Sequence, residues 1–544
     1  MEKRKEEFLK IVCHIYMAAI LVVLPLYYIP GNGYYKLGDS KYYLYRNISL
    51  ICMGICLVVQ IIAVVRSCLM EQHRRMEQHR RIEQRYRMEN CGSSGMYMRK
   101  TGKKIIGWCR EHIVVTAVCL YGANAVVSAL CSPYGSTAWT GEREWYMGAV
   151  TICLMVGGFL LTARYAGQCG TVLLLGEGAF VLVTLIGLLQ KLGYDPLGLL
   201  KGYVVGDWEY THMLTTLGNN NWLSGYYSVM FPLSLALFLQ AVEEGRRGGS
   251  MLLGVCNTLA IVLLLLQGSD GGVMVACVAL WMCFWGSRKN TKLWEALLFL
   301  LTGVCVGMLL WGKGMQSLGT FDILLQDGIA KRLAAWQGWI PFAVVCLLFC
   351  GIHHVLPEKK KRMLRTGVLY GSLVLAAGAV IWYISKLQGS NFEEWGNHRG
   401  RLWQMAWQGF CQGDLRQKLL GAGPDCFASY LGQVLPGGTV LFDKGYFAGS
   451  IFTNAHNEWL TTLINMGALG VFAYAAVFFT ALRKYSGNRL GLLLLITYGM
   501  HSLVSFRQVL NAPLFFLLLG VCEAGQRQEK LHRTDTDEES IEIA

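Results

Sequence analysis

The residues best suited to chemistry lie in one polar stretch, Leu387 to Asn457, bounded by apolar runs. It contains NHRGRLWQMAWQGF (Asn397–Phe410), LLGAGPDCF (Leu419–Phe427) and, at its end, NAHNEW (Asn454–Trp459). Arg399, Arg401 and Arg416 are planar cations that grip phosphate oxygens bidentately, and His398 and His456 exchange a proton near neutral pH. Such a set could stabilise charge on a departing diphosphate and take a proton from an attacking hydroxyl. His456 is followed by Leu460, Leu463 and Gly467 at i+4, i+7 and i+11, which puts the imidazole over one packed helix face. Gly467 and Gly470 would let a neighbouring helix approach closely. Each residue also has a plain structural alternative. An interfacial His456 can simply hydrogen-bond headgroups or loop backbone, and Arg399 and Arg401 can snorkel or pair with Glu393 or Glu394.

These side chains need a frame, and composition says which kind. With 54% hydrophobic and 15% charged residues and a mean hydropathy of +0.38, the 544-residue chain is too apolar for an ordinary soluble domain and reads as an integral membrane protein. The first apolar run, residues 11–30, is long enough to span and has no small-residue cleavage site after it, so it is expected to stay as an anchor. About fourteen apolar runs follow one another: 11–30, 47–65, 113–131, 145–163, 171–190, 222–240, 251–267, 272–286, 294–311, 336–352, 367–385, 458–481, 489–505 and 509–523. Only GlySerAspGlyGly separates the seventh from the eighth, which leaves a twelve-span alternative.

The net charge of +14 resides mainly in short connections. With the basic start MEKRK in the cytoplasm, residues 66–111, 243–249, 286–292, 357–365 and 483–489 fall inside and are all basic, as the positive-inside rule requires. Residues 31–46, 132–144, 191–221, 268–271, 312–335, 387–457 and 506–508 then lie outside. The chain accordingly divides into a membrane bundle (1–386) with its basic cytoplasmic loop, a large outer loop (387–457), the last helices (458–524) and an acidic cytoplasmic tail (525–544) read as disordered. The tandem MEQHRR, MEQHRR, IEQRYR (Met70–Arg87) reads as a basic solvated or headgroup-facing helix; nucleic-acid binding is disfavoured because no aromatics interleave it.

Other chemistry finds less support. Most of the nineteen cysteines sit inside apolar runs, where a thiol behaves as a small hydrophobe, while Cys411 and Cys426 share the polar stretch and could pair. No CxxC, HExxH, zinc-spaced His/Cys set or GxxxxGK[ST] occurs. In GlyAsnAsnAsn (Gly218–Asn221), Asn219 and Asn221 either hydrogen-bond sugar hydroxyls or cap the helix at Trp222. GAGP (Gly421–Pro424) either approaches a ligand with its backbone or turns the chain. Arg143 and Arg507 lie in other outer loops and could join the cationic cluster, and Glu177 sits within a span, as a packing or a proton-handling residue.

The motifs in their order, TLGNNNWLSGYY with MFPL (Thr216–Leu233), HRGRLWQMAWQGF, LLGAGPDCF and NAHNEWLTTLINMGALGVFAYAAVFF (Asn454–Phe479), resemble the O-antigen ligase and polymerase superfamily of bacterial envelope enzymes. The resemblance covers about the last 330 residues by motif and the rest by topology. It implies an all-α polytopic membrane protein of the GT-C-like class with one large outer loop, in the plasma membrane, both termini cytoplasmic. It further implies metal-independent, cofactor-free inverting transfer of a polyprenyl-diphosphate-linked oligosaccharide to a glycan, lipid or protein acceptor among membrane lipids, without nucleic acid. By resemblance Arg399 holds the diphosphate and His456 activates the acceptor hydroxyl, with Asn457 or Glu458 orienting the imidazole and Arg401, Asn457, Arg143, Arg507, Asn219 and Asn221 as substrate contacts. One departure is expected to matter. Many members carry Ser-Arg where this chain has GlySerAspGlyGly (Gly268–Gly272), so Asp270 stands where a second arginine belongs and Arg143, Arg401 or Arg507 would have to compensate. The rival class is a transporter or lipid-linked-glycan flippase, which would line a cavity with intramembrane charges; the spans look nearly free of them.

Overall fold

A computed structural model describes residues 2–83, 107, 109, 111–325, 329–387, 390–435 and 452–542. Helix supplies nearly all regular structure among them, the exception being a two-stranded antiparallel ladder, Met213–Leu214 with Gly218–Asn219. The bundle begins with α1 (Glu2–Ala18), which runs on through a π-helical turn (Ala19–Val23) to Leu26, then α2 (Leu37–Glu83), α3 (Ile113–Leu130), α4 (Ala149–Tyr165) and α5 (Gly170–Lys191). It continues with α6 (Asn220–Glu243), α7 (Arg247–Leu266), α8 (Asp270–Ser287), α9 (Thr291–Ser317), α10 (Trp339–Val355) and α11 (Glu358–Lys386). The polar stretch forms α12 (Ser390–Gln412), α13 (Leu415–Leu420) and α14 (Phe427–Val434), and the chain closes with α15 (Glu458–Lys484), α16 (Arg489–Ser502) and α17 (Ala512–Glu542).

Among the described residues, 11 helices are long and apolar enough to cross a membrane, fewer than the fourteen runs read from the sequence. The difference is length for two of the three and composition for the third. Helix α4 has 17 residues and α16 has 14, about 26 Å and 21 Å of rise against a hydrocarbon layer of roughly 30 Å. Helix α17 is apolar only near its start, where Leu514, Phe515, Leu517, Leu518 and Leu519 are fully buried. The segments 251–267 and 272–286 are two separate helices, α7 and α8, broken at Gly268, whose φ of +97° suits glycine.

Three further expectations change. The polar stretch is a folded layer with its own apolar core: Ala406, Ala422, Phe427, Tyr430 and Leu431 pack with Ala129, Ala138 and Ala149 of the bundle. The acidic tail continues α17 to Glu542, since nothing after Gly525 breaks a helix. The bundle also buries charges that a linear count of the spans passes over: Lys41, Lys191, Arg365, Glu177, Glu458 and Glu523. Lys41 Nζ donates to Leu24 O (2.8 Å) and Pro25 O (3.0 Å), carbonyls left over where α1 ends. Glu177 accepts from Ser234 Oγ at 2.6 Å, one of the two outcomes foreseen for it. The first repeats of MEQHRR extend α2; residues 84–87 of that motif, most of the basic loop after it, and residues 388–389 and 436–451 of the polar stretch lie outside the described residues.

The join that positions the site is a break in α15. Gly467 has φ +67° and ψ −172°, so the helix is interrupted there and the carbonyls of Ile464 and Asn465 are freed. Ala422 N and Gly423 N of the GAGP turn donate to them, both at 2.9 Å, and Ser128 Oγ of α3 adds a third bond, to Asn465 O at 3.0 Å. A Cβ on Gly467 would stand 2.3 Å from Leu419 O. GAGP is thus neither a free turn nor a ligand cradle; it is docked into a helix break.

Candidate functional site

His456 sits in the short turn that starts α15. Asn457 caps the helix, its Oδ1 accepting from Trp459 N (2.9 Å) and Leu460 N (3.0 Å), while its Nδ2 donates to Leu503 O (2.9 Å). Trp459 Nε1 donates to Ser502 Oγ (3.0 Å), and Trp403 Nε1 of α12 donates to Ala455 O (3.1 Å), so α16 and α12 hold the turn from two sides. His456 N donates to Asn454 Oδ1 (3.0 Å) and the residue takes φ +47°, a left-handed conformation sparse for any side chain but glycine. The ring stands edge-on to Phe506, centroids 4.9 Å apart, and its Nδ1 is shut off from solvent with no hydrogen-bond partner. Burial first, and the Arg399 guanidinium second, push the imidazole down to about 3, so the free protein holds it neutral.

Arg399 arrives from α12, whose helical path is interrupted at Gly396 (φ +62°) and His398 (φ +68°). Its Nε is buried without a partner, and burial lowers its proton affinity while Asp270 opposes that. The guanidinium lies within Coulombic reach of His456, His501 and Asp270 at once. The structure therefore brings together Arg399 and His456, which stand 57 positions apart in the chain, and adds Asp270 to them.

The remaining sequence candidates take other places. Asn219 is the N-cap of α6, accepting from Asn221 N at 2.8 Å, and Asn221 Oδ1 accepts from Ser269 Oγ at 2.9 Å, so capping is what that triplet does. Arg143 is exposed and 4.0 Å from Asp39, while Arg401 is exposed on α12. Arg416 bonds Cys131 O. Arg507 is buried beneath the site: it bonds Tyr121 Oη and Thr462 Oγ1, lies 3.7 Å from Glu458, and packs over the Tyr474 ring at 5.1 Å. Glu458 accepts from Tyr474 Oη (2.7 Å) and Tyr498 Oη (3.1 Å). With those partners Glu458 does not orient the imidazole, and neither does Asn457; both expectations fail because helix capping and the buried charge pair consume their polar atoms. Cys411 and Cys426 are free thiols, one exposed and one buried, so they are not paired. Asp425, next to the GAGP proline, is buried and accepts from Glu142 N (2.8 Å) and Met147 N (2.9 Å), tying the 142–147 segment to the site layer. Burial pushes its carboxyl up to about 7 against those two bonds.

Sequence reasoning missed one buried group near Arg399. His501, only 1% exposed, bonds Ser224 Oγ through Nε2 at 3.2 Å, and its Nδ1 is unpartnered. The run HSLVSFRQVLN (His501–Asn511) does carry polar residues where a span should end, which was the available signal. Among the described residues no group of three or more His, Cys, Asp or Glu is placed to hold a metal ion. No family model matches the chain, and no curated protein matches it.

Proposed function

We propose that the protein is a membrane glycan transferase of the O-antigen ligase and polymerase type, GT-C-like, acting on the outer face of the plasma membrane. The observation that carries this reading is the convergence of a neutral imidazole whose buried Nδ1 has no hydrogen-bond partner (His456) and a guanidinium whose buried Nε has none (Arg399), where the polar layer meets the bundle. In the reaction a hydroxyl oxygen of the acceptor attacks the anomeric carbon as the bond from that carbon to the diphosphate oxygen breaks. His456 takes the hydroxyl proton, Arg399 stabilises the departing polyprenyl diphosphate, and configuration inverts. Asp270 lies within Coulombic reach of Arg399, Arg507 is buried 3.7 Å from Glu458, Arg143 stands 4.0 Å from Asp39 and Arg401 is exposed, which supports assigning the donor diphosphate to Arg399.

The test is a reconstitution. Purified protein in liposomes, given polyprenyl-diphosphate-linked oligosaccharide, should lengthen or transfer the glycan without an ion gradient. His456→Ala should insert normally and yield no product, and Arg399→Lys should slow turnover by on the order of a hundredfold, because the fork is lost while the charge stays. Normal product from His456→Ala removes that residue from the chemistry, and glycan moved across the bilayer without covalent change establishes the flippase instead.

A further inference from the structure

Behind Arg399 lies a second group of polar atoms that the transfer chemistry does not use. Four buried side-chain atoms have no hydrogen-bond partner: His501 Nδ1, Asn220 Oδ1, Gln508 Oε1 and Gln508 Nε2. Their side chains belong to residues 1%, 5% and 3% exposed, and they gather around the first turns of α6. His501 bonds Ser224; the amide of Gln508 would be 3.3 Å from a Cβ on Gly225; that of Asn220 would be 3.4 Å from one on Gly268.

Proton bookkeeping fixes what these atoms offer. Ser224 spends its single hydroxyl proton on Asn221 O (2.9 Å), so His501 Nε2 must carry the hydrogen that bridges to Ser224 Oγ. His501 Nδ1 is then a bare acceptor. With Asn220 Oδ1 and Gln508 Oε1 it makes three buried acceptors against one donor, Gln508 Nε2. Leaving each unmade costs about 1–3 kcal/mol, so the set is built for something that satisfies it. A phosphate has only acceptors to present and would be repelled; hydroxyl groups, which donate and accept, fit. Aromatic rings, which pack on the C–H faces of a sugar, are near in the chain: the Trp145 ring stands 4.7 Å from Phe506, two residues before Gln508, and 6.3 Å from Trp222, two residues after Asn220.

We propose that His501, Asn220 and Gln508 form a subsite for the hydroxyls of a neutral sugar unit, with the tryptophan pair Trp145 and Trp222 at its side, adjoining Arg399 and His456. Its ligand class follows from these atoms, and its role as the acceptor-side subsite rests on the transferase reading.

The test is binding, which separates the two ideas. Full-length protein in nanodiscs is titrated with free hexose and N-acetylhexosamine oligosaccharides, read by saturation-transfer NMR, and separately with undecaprenyl diphosphate. Wild type should bind at least one of the sugars, and His501→Asn and Gln508→Ala should each weaken that binding about tenfold or more while undecaprenyl diphosphate binding stays within about twofold. If His501→Asn also loses the diphosphate, its fold is compromised and Gln508→Ala decides. Wild type binding none of the sugars, or Gln508→Ala binding them as wild type does, assigns the four atoms to buried water and overturns the proposal. Wild-type protein that binds the sugars but neither lengthens nor transfers lipid-linked glycan in liposomes would sink the transferase reading while leaving this subsite intact.

Discussion

The neutrality of His456 has a kinetic consequence that can be measured. Its imidazole is pushed from 6.5 to about 3, which makes protonation in the free protein unfavourable by roughly 5 kcal/mol. Burial is the larger cause and Arg399 the smaller. A diphosphate arriving at Arg399 brings negative charge toward the ring. One unit charge at roughly 5–8 Å, with an effective dielectric of about 20, contributes about 2–3 kcal/mol, or some 1.5–2 units of proton affinity. In the proposed reaction the base is therefore weak until the donor is bound and stronger afterwards. The sign follows: a base must start neutral, so activity falls as pH drops through its pKa. The acid limb of kcat/KM, which reports the free enzyme, should lie below about pH 4, and that of kcat should lie about 1.5–2 units higher. Histidine labelled with 13C, followed by NMR in nanodiscs, gives the same quantity directly. Undecaprenyl diphosphate should raise the His456 titration, and Arg399→Gln should raise it without ligand. Titration of His456 near 6.5 in the free protein, or no response to either change, refutes the reasoning.

Three further outcomes follow from the supports of the site. Gly467→Ala places a Cβ 2.3 Å from Leu419 O at a positive φ and should cost roughly 3 kcal/mol or more in thermal unfolding, whereas Gly487→Ala, with open space around it, should stay within about 0.5 kcal/mol; a wild-type melting temperature for Gly467→Ala removes the helix break. Asp425, raised from 3.8 to about 7, binds a proton more readily folded than unfolded, so stability should decline as pH rises from about 4 to 7, by about 4 kcal/mol in all. Asp425→Asn keeps one oxygen for Glu142 N and Met147 N and should abolish that decline, which melting curves at several pH values will show. Glu458→Gln strands Arg507 as an unpaired buried charge and should destabilise by about 3–5 kcal/mol, while the double variant with Arg507→Met should recover most of the loss; equal damage in single and double variants argues against the pair.

Much of the frame was legible because apolar length and helix capping are local. Asn219 and Asn457 cap helices as short polar side chains before an apolar run should, and the break between α7 and α8 falls at the glycine that marks it. What the sequence hid was partnership across the fold. Arg507 and Glu458 read as a free cation and a carboxylate near a histidine, yet each is consumed by the other and by Tyr121, Tyr474 and Tyr498. His501 was hidden for the opposite reason. A histidine in an apolar run looks like part of a span until α6 is seen to bring Ser224 against it.

These partnerships explain why the site can hold an uncomfortable geometry. A left-handed His456 costs on the order of 1–3 kcal/mol and persists only where its surroundings overdetermine it. Here Trp403, Ser502 and Leu503 grip the turn from α12 and the end of α16, and the Arg507–Glu458 pair fixes the first turn of α15 from below. The docked GAGP segment then pins the same helix two turns further on, where Gly467 breaks it. Most of the residues that looked like substrate contacts thus serve to keep one imidazole and one guanidinium facing the same space. That division of labour makes the proposed chemistry separable from folding: changes at His456 or Arg399 should leave the protein intact, and changes at Glu458 or Gly467 should not.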